Sequence, residues 1–190
     1  MTNSLTFRIL FHGPFRISTG KPSGGYDNTV GDDPLPASSL KGVMRASADH
    51  LAVATSSESI AATINAVFGA KGEPGAWAWT SASFGTAPVR VGRSRIAIDP
   101  ATHTVEKGAL MRGQHFEAED ATFEVTQSEW LTDEVRDRHH QLLCAAAMGT
   151  HSLGGHRNRG LGWVRIEPTE LAFTADVLAA WLLNPQEKVA

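Results

Sequence analysis

The sequence predicts an α+β fold in which helices cover one face of an antiparallel sheet. Apolar runs typical of strands lie near both ends of the chain, amphipathic segments follow the first of them, and extended segments fill the middle. The chain has 190 residues, of which 42% are hydrophobic and 19% charged, an ordinary composition for a globular domain with a sizeable core. We therefore expect a single domain spanning residues 1–190.

The first strand and the first helix flank a glycine- and aspartate-rich loop. LTFRILF, from Leu5 to Phe11, is rich in Leu, Phe and Ile and predicts a central strand. A helix is predicted from Ser39 to about Ala54, with Ser38 or Ser39 as the N-cap. The residues that recur near helical spacing are Leu40, Val43, Ser47 and Leu51.

A second helix and a tryptophan-rich strand follow. SESIAATINAVF predicts a short helix from Ser57, as its cap, to Phe68. AWAWTSASF then alternates large and small side chains and predicts a strand with one aromatic face. We favour core packing over base stacking as the role of Trp77 and Trp79.

The middle of the chain reads as extended segments with one interruption. RIAID precedes a Pro/Thr/Gly stretch, and alternation resumes in MRGQHFEAEDATFEV. We interpret Asp99 to Gly108 as a projecting, hairpin-like segment, with an ordinary surface loop as the alternative.

The third helix has the strongest start signal in the chain. Thr132 precedes two acidic residues and an apolar face that continues to Gly149. His139 and His140 diverge by about 100° on this helix, so we expect one to be packed and one solvated, without forming a metal pair. Cys144 is the one cysteine; it excludes an internal disulfide, and its apolar neighbours predict a buried thiol.

The order of the elements predicts the topology. LGWVRIEP is expected to be the last strand, and FTADVLAAWLL a final amphipathic helix. The order β, α, α, β, β, α, β predicts a ferredoxin-like sheet, the layering of the RNA-recognition fold, although the aromatic signature of that fold is absent. With the first and last strands adjacent at the sheet's centre, the two glycine-rich loops would converge at one end.

Cations near these loops predict an anion site. Lys41 and Arg45 follow a helix start, where exposed N–H groups attract phosphate; the alternative is a solvated face with Arg45 paired to Asp49. In the second glycine-rich loop, glycines expose the backbone beside two arginines suited to phosphate. These residues are Gly154, Gly155, Arg157 and Arg159.

The charge distribution limits the classes of partner. A formal net charge of −3 argues against a uniformly basic nucleic-acid binder. Arginines nevertheless concentrate in VRVGRSR, which contains Arg93 and Arg95, and in GGHRNRG, while acids gather between Glu117 and Asp137. A basic face for RNA and an acidic face for a neighbouring subunit would follow. Without an apolar run long enough to span a membrane, or a signal peptide, we expect a cytoplasmic protein.

Two motifs together resemble a known family. PLPASSLKGVMR (Pro34 to Arg45) resembles the loop and helix of the RAMP superfamily, and LGGHRNRGLGWVRI (Leu153 to Ile166) resembles its C-terminal glycine-rich loop. The segment between them resembles the thumb-bearing region of the backbone subunits of type III CRISPR effector complexes, which places a thumb-like insertion at about residues 93–120.

The resemblance implies a function and a set of site residues. Family members polymerise along a guide RNA with other effector subunits, and an aspartate supports metal-dependent cleavage of the target RNA. YDNTVGDDP puts Asp27 at that catalytic position, with Asp33 and Asp32 as alternates and with Thr29 in place of the usual proline. Asp27 would hold a weakly bound Mg²⁺ or another divalent cation. The expected RNA-binding residues are Ser39, Lys41, Arg45, Arg93, Arg95, Gly154, Gly155, Arg157 and Arg159.

Three functions are therefore open from the sequence. The leading hypothesis is an endoribonuclease backbone subunit that binds guide RNA and cleaves target RNA. The second is a scaffold subunit that binds RNA without cutting it. The third is a ribonuclease that processes guide precursors, in which His12 or His156 would act as the acid or base. For Asp27, the residues alone, without the resemblance, favour an Asx-turn that caps the loop backbone.

Overall fold

The computed structural model describes residues 3–55 and 58–169, together with residues 176 and 179. The predicted cap Ser57 and most of the predicted C-terminal helix FTADVLAAWLL lie outside the described residues; within that segment, Asp176 and Ala179 are helical. In the described part of the chain, none of the helices is long and apolar enough to cross a membrane.

The described residues form six strands and three helices, and four strands lie between the second and third helices where the predicted order had two. The strands are β1 (Ser4–Phe11), β2 (Trp77–Trp79), β3 (Val89–Arg95), β4 (Met111–Glu117), β5 (Asp120–Gln127) and β6 (Val164–Pro168). The helices are α1 (Ala37–Thr55), α2 (Glu58–Phe68) and α3 (Asp133–Met148), and a 3₁₀ turn spans Arg157–Arg159. AWAWTSASF therefore forms a shorter strand than predicted, and Ser83 continues the edge with one bridge to Thr122.

The main sheet confirms the ferredoxin-like prediction. Its strand order is β2-β5-β1-β6, and each neighbouring pair is antiparallel. The last strand does pair with β1, but it lies at the edge of the sheet and not at its centre, because β5 occupies the other side of β1. This correction leaves one side of β6 without a strand partner in the described sheet.

One face of the sheet is covered by the helices and the other is polar. Along β1, Leu5, Phe7 and Ile9 are buried in a core shared with all three helices. The alternate residues face away, and Arg8 forms an ion pair with Asp120 of β5 at 2.7 Å. Alternation of period two thus separates the core from the exposed face. Trp77 and Trp79 pack against this core as predicted.

The start of α1 differs from the prediction. The carbonyl of Pro36 accepts hydrogen bonds from the amides of Ser39 and Leu40, so Pro36 occupies the cap position and both serines lie in the first turn. Asp33 sets up this entry by accepting from the amide of Leu35, a buried residue. The serine-cap prediction failed because an upstream Asx-turn and a buried leucine decide where the helix begins.

β3 and β4 form a two-stranded antiparallel ribbon outside the main sheet. The predicted hairpin-like segment Asp99 to Gly108 lies in the connection between them, where Ile98 bridges to Val105. At the base of the ribbon, Phe116 exchanges both backbone hydrogen bonds with Phe15. The ribbon therefore extends from the domain and is attached through this pairing.

α3 buries both of its adjacent histidines, which corrects the prediction that one would be solvated. His139 is 3% exposed and His140 is 9% exposed. The helix contacts α1, α2 and β6 at once, so more than one of its faces is covered. Trp77 donates a hydrogen bond from Nε1 to Nδ1 of His139 at 3.0 Å. The Thr132 cap is confirmed by its bond from the amide of Val135, and Cys144 is fully buried.

We expect the free energy of unfolding to fall on acidification from pH 6.5 towards 4. Burial, followed by the nearby His140 and Arg138, lowers the pKa of His139 from 6.5 to about 4, and burial also lowers the pKa of His140. The unfolded chain therefore binds more protons in this window, so stability is fully present above pH 6.5 and declines as the pH falls.

Urea unfolding across this pH range measures the effect. His139→Gln keeps an acceptor for Trp77 but cannot titrate, so its unfolding midpoint should depend less on pH than that of the wild type. His103→Gln, at an exposed histidine, is the matched control and should follow the wild-type profile. Identical pH profiles for the wild type and His139→Gln would contradict this assignment.

Candidate functional site

A short segment after β1 joins three parts of the molecule. The amide of Phe15 donates to Phe116 of the ribbon, and the carbonyl of Arg16 accepts from the amide of Gly155. The carbonyl of Pro14 accepts from Gly162. The ribbon and the C-terminal glycine-rich loop (residues 153–162) are therefore held on either side of residues 14–16.

The first turns of α1 and the glycine-rich loop form a groove of about 350 Å³. Its lining includes Ser38, Ser39 and Gly42 from α1 and Gly154, Gly155 and Arg157 from the loop. We call this feature the loop groove. The second glycine-rich loop therefore meets the start of α1 in this groove, while the glycines of the first glycine-rich loop are not part of its lining.

Gly154 makes the close approach of the loop to residues 14–16 sterically allowed. It has a positive φ of 74°, and a Cβ atom there would lie 2.2 Å from the carbonyl oxygen of Arg16. No L side chain fits at that distance. In the first turn of α1, the amides of Ala37, Ser39 and Leu40 already donate to protein acceptors, so the serine hydroxyls are the more accessible donors to the groove.

Lys41 and Arg45 lie on a different face of α1 from the loop groove. Nζ of Lys41 lies 5.0 Å from the centre of the Trp79 ring. Arg45 donates to the carbonyl of Gly69 at 2.6 Å and to Oδ1 of Asn65 at 3.1 Å. Both cations therefore hold α1 against neighbouring elements. The i, i+4 pair of Arg45 with Asp49 is present but long, at 3.9 Å.

A cavity of about 210 Å³ lies between the ribbon and the glycine-rich loop. It is lined by arginines and histidines from four parts of the chain, and we call it the arginine cavity. These residues are Arg16, Arg93, Arg95, Arg112, His115, His156 and Arg159. The structure thus brings together three predicted residues, Arg93, Arg95 and Arg159, with others that the sequence analysis did not assign to RNA binding.

The positively charged side chains of the arginine cavity repel one another. Burial, followed by Arg95, lowers the pKa of Arg16. Burial, followed by Arg95, Arg16 and Arg159, lowers the pKa of His156, whose Nδ1 lies 3.4 Å from Arg95. The neutral form of His156 is favoured beside these cations, because they lower its pKa.

The predicted alternative base His12 is exposed and lies outside both the cavity and the groove lining.

Asp27 is attached to the ribbon. Its amide donates to the carbonyl of Arg112 at 2.9 Å, and its Oδ2 accepts from the amide of Arg112 at 2.7 Å. The next residue, Asn28, bridges Gly113 in parallel. The loop thus runs beside β4 like a third strand, and the Asp27 side chain caps the backbone of the ribbon and not its own loop, contrary to the Asx-turn alternative.

Asp32 and Asp33 have different surroundings from Asp27. Oδ1 of Asp33 accepts from the amide of Leu35, and its Oδ2 accepts from the hydroxyl of Ser81 at 2.6 Å. Asp32 is highly exposed and pairs with Arg90 at 3.2 Å. Asp33 therefore stabilises the entry to α1, while Asp27 is the aspartate positioned at the ribbon beside the arginine cavity.

A divalent cation would have a limited set of protein ligands here. In residues 3–55 and 58–169, no group of three or more His, Cys, Asp and Glu side chains is arranged to hold a metal ion. The exposed carboxylate of Asp27 could supply one oxygen ligand. That set fits a Mg²⁺ ion that keeps several waters and binds mainly through substrate phosphates.

The chain belongs to the RAMP superfamily, whose family model matches residues 8–165. Solved structures that share the fold include two chains of the same complex. They are a chain of the type III-B Cmr-beta complex in its apo state, with a TM-score of 0.67, and one of the same complex bound to cognate target RNA, with a TM-score of 0.66. Each is 11% identical to this chain, and each alignment covers 88% of this chain and 97% of the other. Among curated proteins, none matches this sequence.

We expect Gly92→Ala to displace the ring of Tyr26, the residue before Asp27, from the ribbon. A Cβ atom at residue 92 would lie 2.5 Å from the hydroxyl oxygen of Tyr26 and 2.9 Å from its Cε1. These atoms lie at the end of the Tyr26 side chain, so the ring must move away from residue 92 to make room for the methyl group.

The chain contains one tyrosine, so selective labelling gives a single NMR signal that reports on this contact. The signal should shift in Gly92→Ala. Gly85→Ala is the matched control, because a Cβ there meets no atom within 4 Å. An unshifted tyrosine signal in Gly92→Ala would show that the loop does not rest on the ribbon.

Proposed function

We propose that this protein is an RNA-binding backbone subunit of a type III CRISPR effector complex and that it cleaves target RNA. Its partners would be a guide RNA, a complementary target RNA, further copies of itself and other effector subunits. Membership of the RAMP superfamily and the fold shared with Cmr-beta chains support this proposal.

The observation that carries the proposal is the convergence of three features around Arg16. This residue lines both the loop groove and the arginine cavity. Asn28, directly after Asp27, lines the same cavity, and the ribbon forms its other wall. An RNA backbone following these cationic surfaces would pass close to an exposed carboxylate, with little contact to base edges.

RNA carries its own nucleophile, so the demands on the protein are modest. Attack of the 2′-oxygen on phosphorus, with loss of its proton, breaks the P–O5′ bond and leaves a 2′,3′-cyclic phosphate and a 5′-hydroxyl. The site must align these atoms and balance the charge that develops on phosphate. Asp27 would orient the 2′-hydroxyl, since its Oδ2 is fixed by Arg112, and nearby arginines would stabilise the phosphate oxygens.

A bound divalent cation would add charge stabilisation at the phosphate. Asp27 would hold it, with RNA oxygens completing its coordination. The Arg112 amide fixes the carboxylate for this role by holding Oδ2.

Two alternatives remain distinguishable from this proposal. A scaffold subunit would bind RNA equally well but would give no cleavage that depends on Asp27. A guide-processing ribonuclease would depend on His156, whose position beside Arg95 favours the neutral form needed for a general base. Its activity would survive removal of divalent metal.

Arg157→Ala and Arg159→Ala together should weaken RNA binding without changing sequence preference. Both side chains are exposed at the glycine-rich loop. Losing two phosphate contacts should reduce the slope of log K against log salt by about 1 to 2 units. Binding of labelled RNA at several salt concentrations gives this slope.

Arg45→Ala is the contrasting variant for this test. It should leave the salt slope unchanged and instead lower the free energy of unfolding by about 1 kcal/mol, since its hydrogen bonds are internal and partly exposed. A reduced salt slope for Arg45→Ala, or an unchanged slope for the double variant, would indicate that RNA binds to the other face of α1.

Asp27→Asn should abolish target cleavage while leaving RNA binding intact. Asparagine keeps an oxygen that can accept from the Arg112 amide, so the loop should stay docked. Loss of the charge should lower the rate by about 10² to 10⁴. Single-turnover cleavage by assembled complexes, with Mg²⁺ and with EDTA, measures this effect.

Asp32→Ala is the control, because it removes an equal charge from the same loop and an exposed pair with Arg90. Asp33→Ala is less suitable, since it breaks the entry to α1. Wild-type cleavage by Asp27→Asn would favour the scaffold, and full activity in EDTA would favour the metal-independent nuclease.

A further inference from the structure

We propose that the arginine cavity binds a phosphate group of a nucleotide, with the guanidinium of Arg16 as its central ligand. This inference rests on the proposed function in one respect: RNA is taken as the source of the phosphate. Arg16 was not among the expected RNA-binding residues, and its role follows from its burial and surroundings.

Arg16 is buried without a counter-charge. Its side chain is 6% exposed, and its Nε is enclosed without a hydrogen-bond partner. Among the described residues, Arg16 takes part in none of the ion pairs. Hydrogen bonds from Phe15 to Phe116 and from Gly155 to Arg16 fix the backbone at this point. A buried cation in this state is costly unless a ligand compensates it.

The side chains that line the cavity add positive charge and no carboxylate, although one of them, His115, pairs with Glu117. Five arginines and two histidines contribute to the lining, and the described lining contains no Asp or Glu. Burial, followed by the charges of Arg95, Arg16 and Arg159, lowers the pKa of His156 and so disfavours protonation of its imidazole. An anion that accepts several hydrogen bonds at once would relieve this repulsion. Phosphate, with oxygens that planar guanidiniums bind in pairs, matches that requirement.

The size of the cavity agrees with a small ligand. Its volume is about 210 Å³, equal to roughly seven waters at about 30 Å³ each. A phosphate group and part of its sugar would fit. Gly113 allows the guanidinium to lie against the ribbon, because a Cβ atom there would be 3.0 Å from the terminal nitrogen of Arg16. Asn28 and Gln114 add neutral polar groups to the walls.

The phosphate has two sources in RNA: an internal phosphodiester or a terminal monoester. The monoester carries about 1.5 to 2 negative charges at pH 7 and would better offset the many cations. The diester would be continuous with a strand in the loop groove, which Arg16 also lines. Titrations with adenosine 5′-monophosphate, with the dinucleotide ApA and with inorganic phosphate separate these sources.

The test uses the full chain and measures dissociation constants for these three probes by calorimetry. We expect the wild type to bind adenosine monophosphate and phosphate, and Arg16→Met to bind them at least tenfold more weakly, as expected for loss of a charge-assisted hydrogen bond. In phosphate-free buffer, Arg16→Met should unfold at the same temperature as the wild type or higher, because a buried uncompensated cation is removed. A purely structural arginine would give the opposite shift.

Two further variants separate loss of phosphate binding from loss of folding. Arg90→Met removes a ribbon arginine that is already paired with Asp32 and should leave all dissociation constants unchanged. Arg159→Met, at an exposed position, should weaken binding even if Arg16→Met fails to fold. ApA binding as tightly as the monophosphate would assign the cavity to an internal phosphate.

Equal affinity of the wild type, Arg16→Met and Arg159→Met for every probe, or the absence of binding by the wild type, would overturn the inference. These titrations require no guide and no cleavage. Their failure therefore leaves the Asp27 experiments unaffected, and loss of the cleavage proposal leaves the phosphate site standing.

Discussion

The arrangement of the molecule depends on the backbone pairing of residues 14–16. This segment exchanges hydrogen bonds with Phe116 on one side and receives them from Gly155 and Gly162 on the other. Phe15 is fully buried and stacks on Phe11, with ring centres 4.6 Å apart. Hydrogen bonds that would be costly to leave unmade, together with apolar burial, thus fix the ribbon and the glycine-rich loop relative to the sheet. Arg16 is enclosed between them as a result.

The sequence predicted the elements whose signals are local. The Thr132 cap, the apolar run of β1 and the apolar face of α2 each depend on neighbours a few residues away, and each is observed. Errors arose where distant groups decide the outcome. The start of α1 is set by Asp33 and buried Leu35, and His139 and His140 are both covered because α3 has neighbours on several sides.

The residues of the candidate site show the same contrast between predicted positions and positions that distant contacts decide. Ser39, Gly154, Gly155 and Arg157 converge because the paired first and last strands bring their loops to one end of the sheet. Lys41 and Arg45 do not join them, since Trp79, Asn65 and Gly69 provide partners that a sequence pattern cannot reveal. Arg16 follows a phenylalanine in an ordinary apolar stretch. Its importance arises only from the ribbon and loop that enclose it, which lie far away along the chain.

The register of the Asp27 loop against β4 has a consequence for evolution of the ribbon. Asp27 is aligned with Arg112, while the ribbon continues beyond it through the pair Arg95 and Met111. A strand rises about 3.3 Å per residue, so two residues added to each strand beyond Arg112 would lengthen the ribbon by about 7 Å. The carboxylate would stay where it is. The length of the ribbon can therefore change without changing the position of the Asp27 carboxylate.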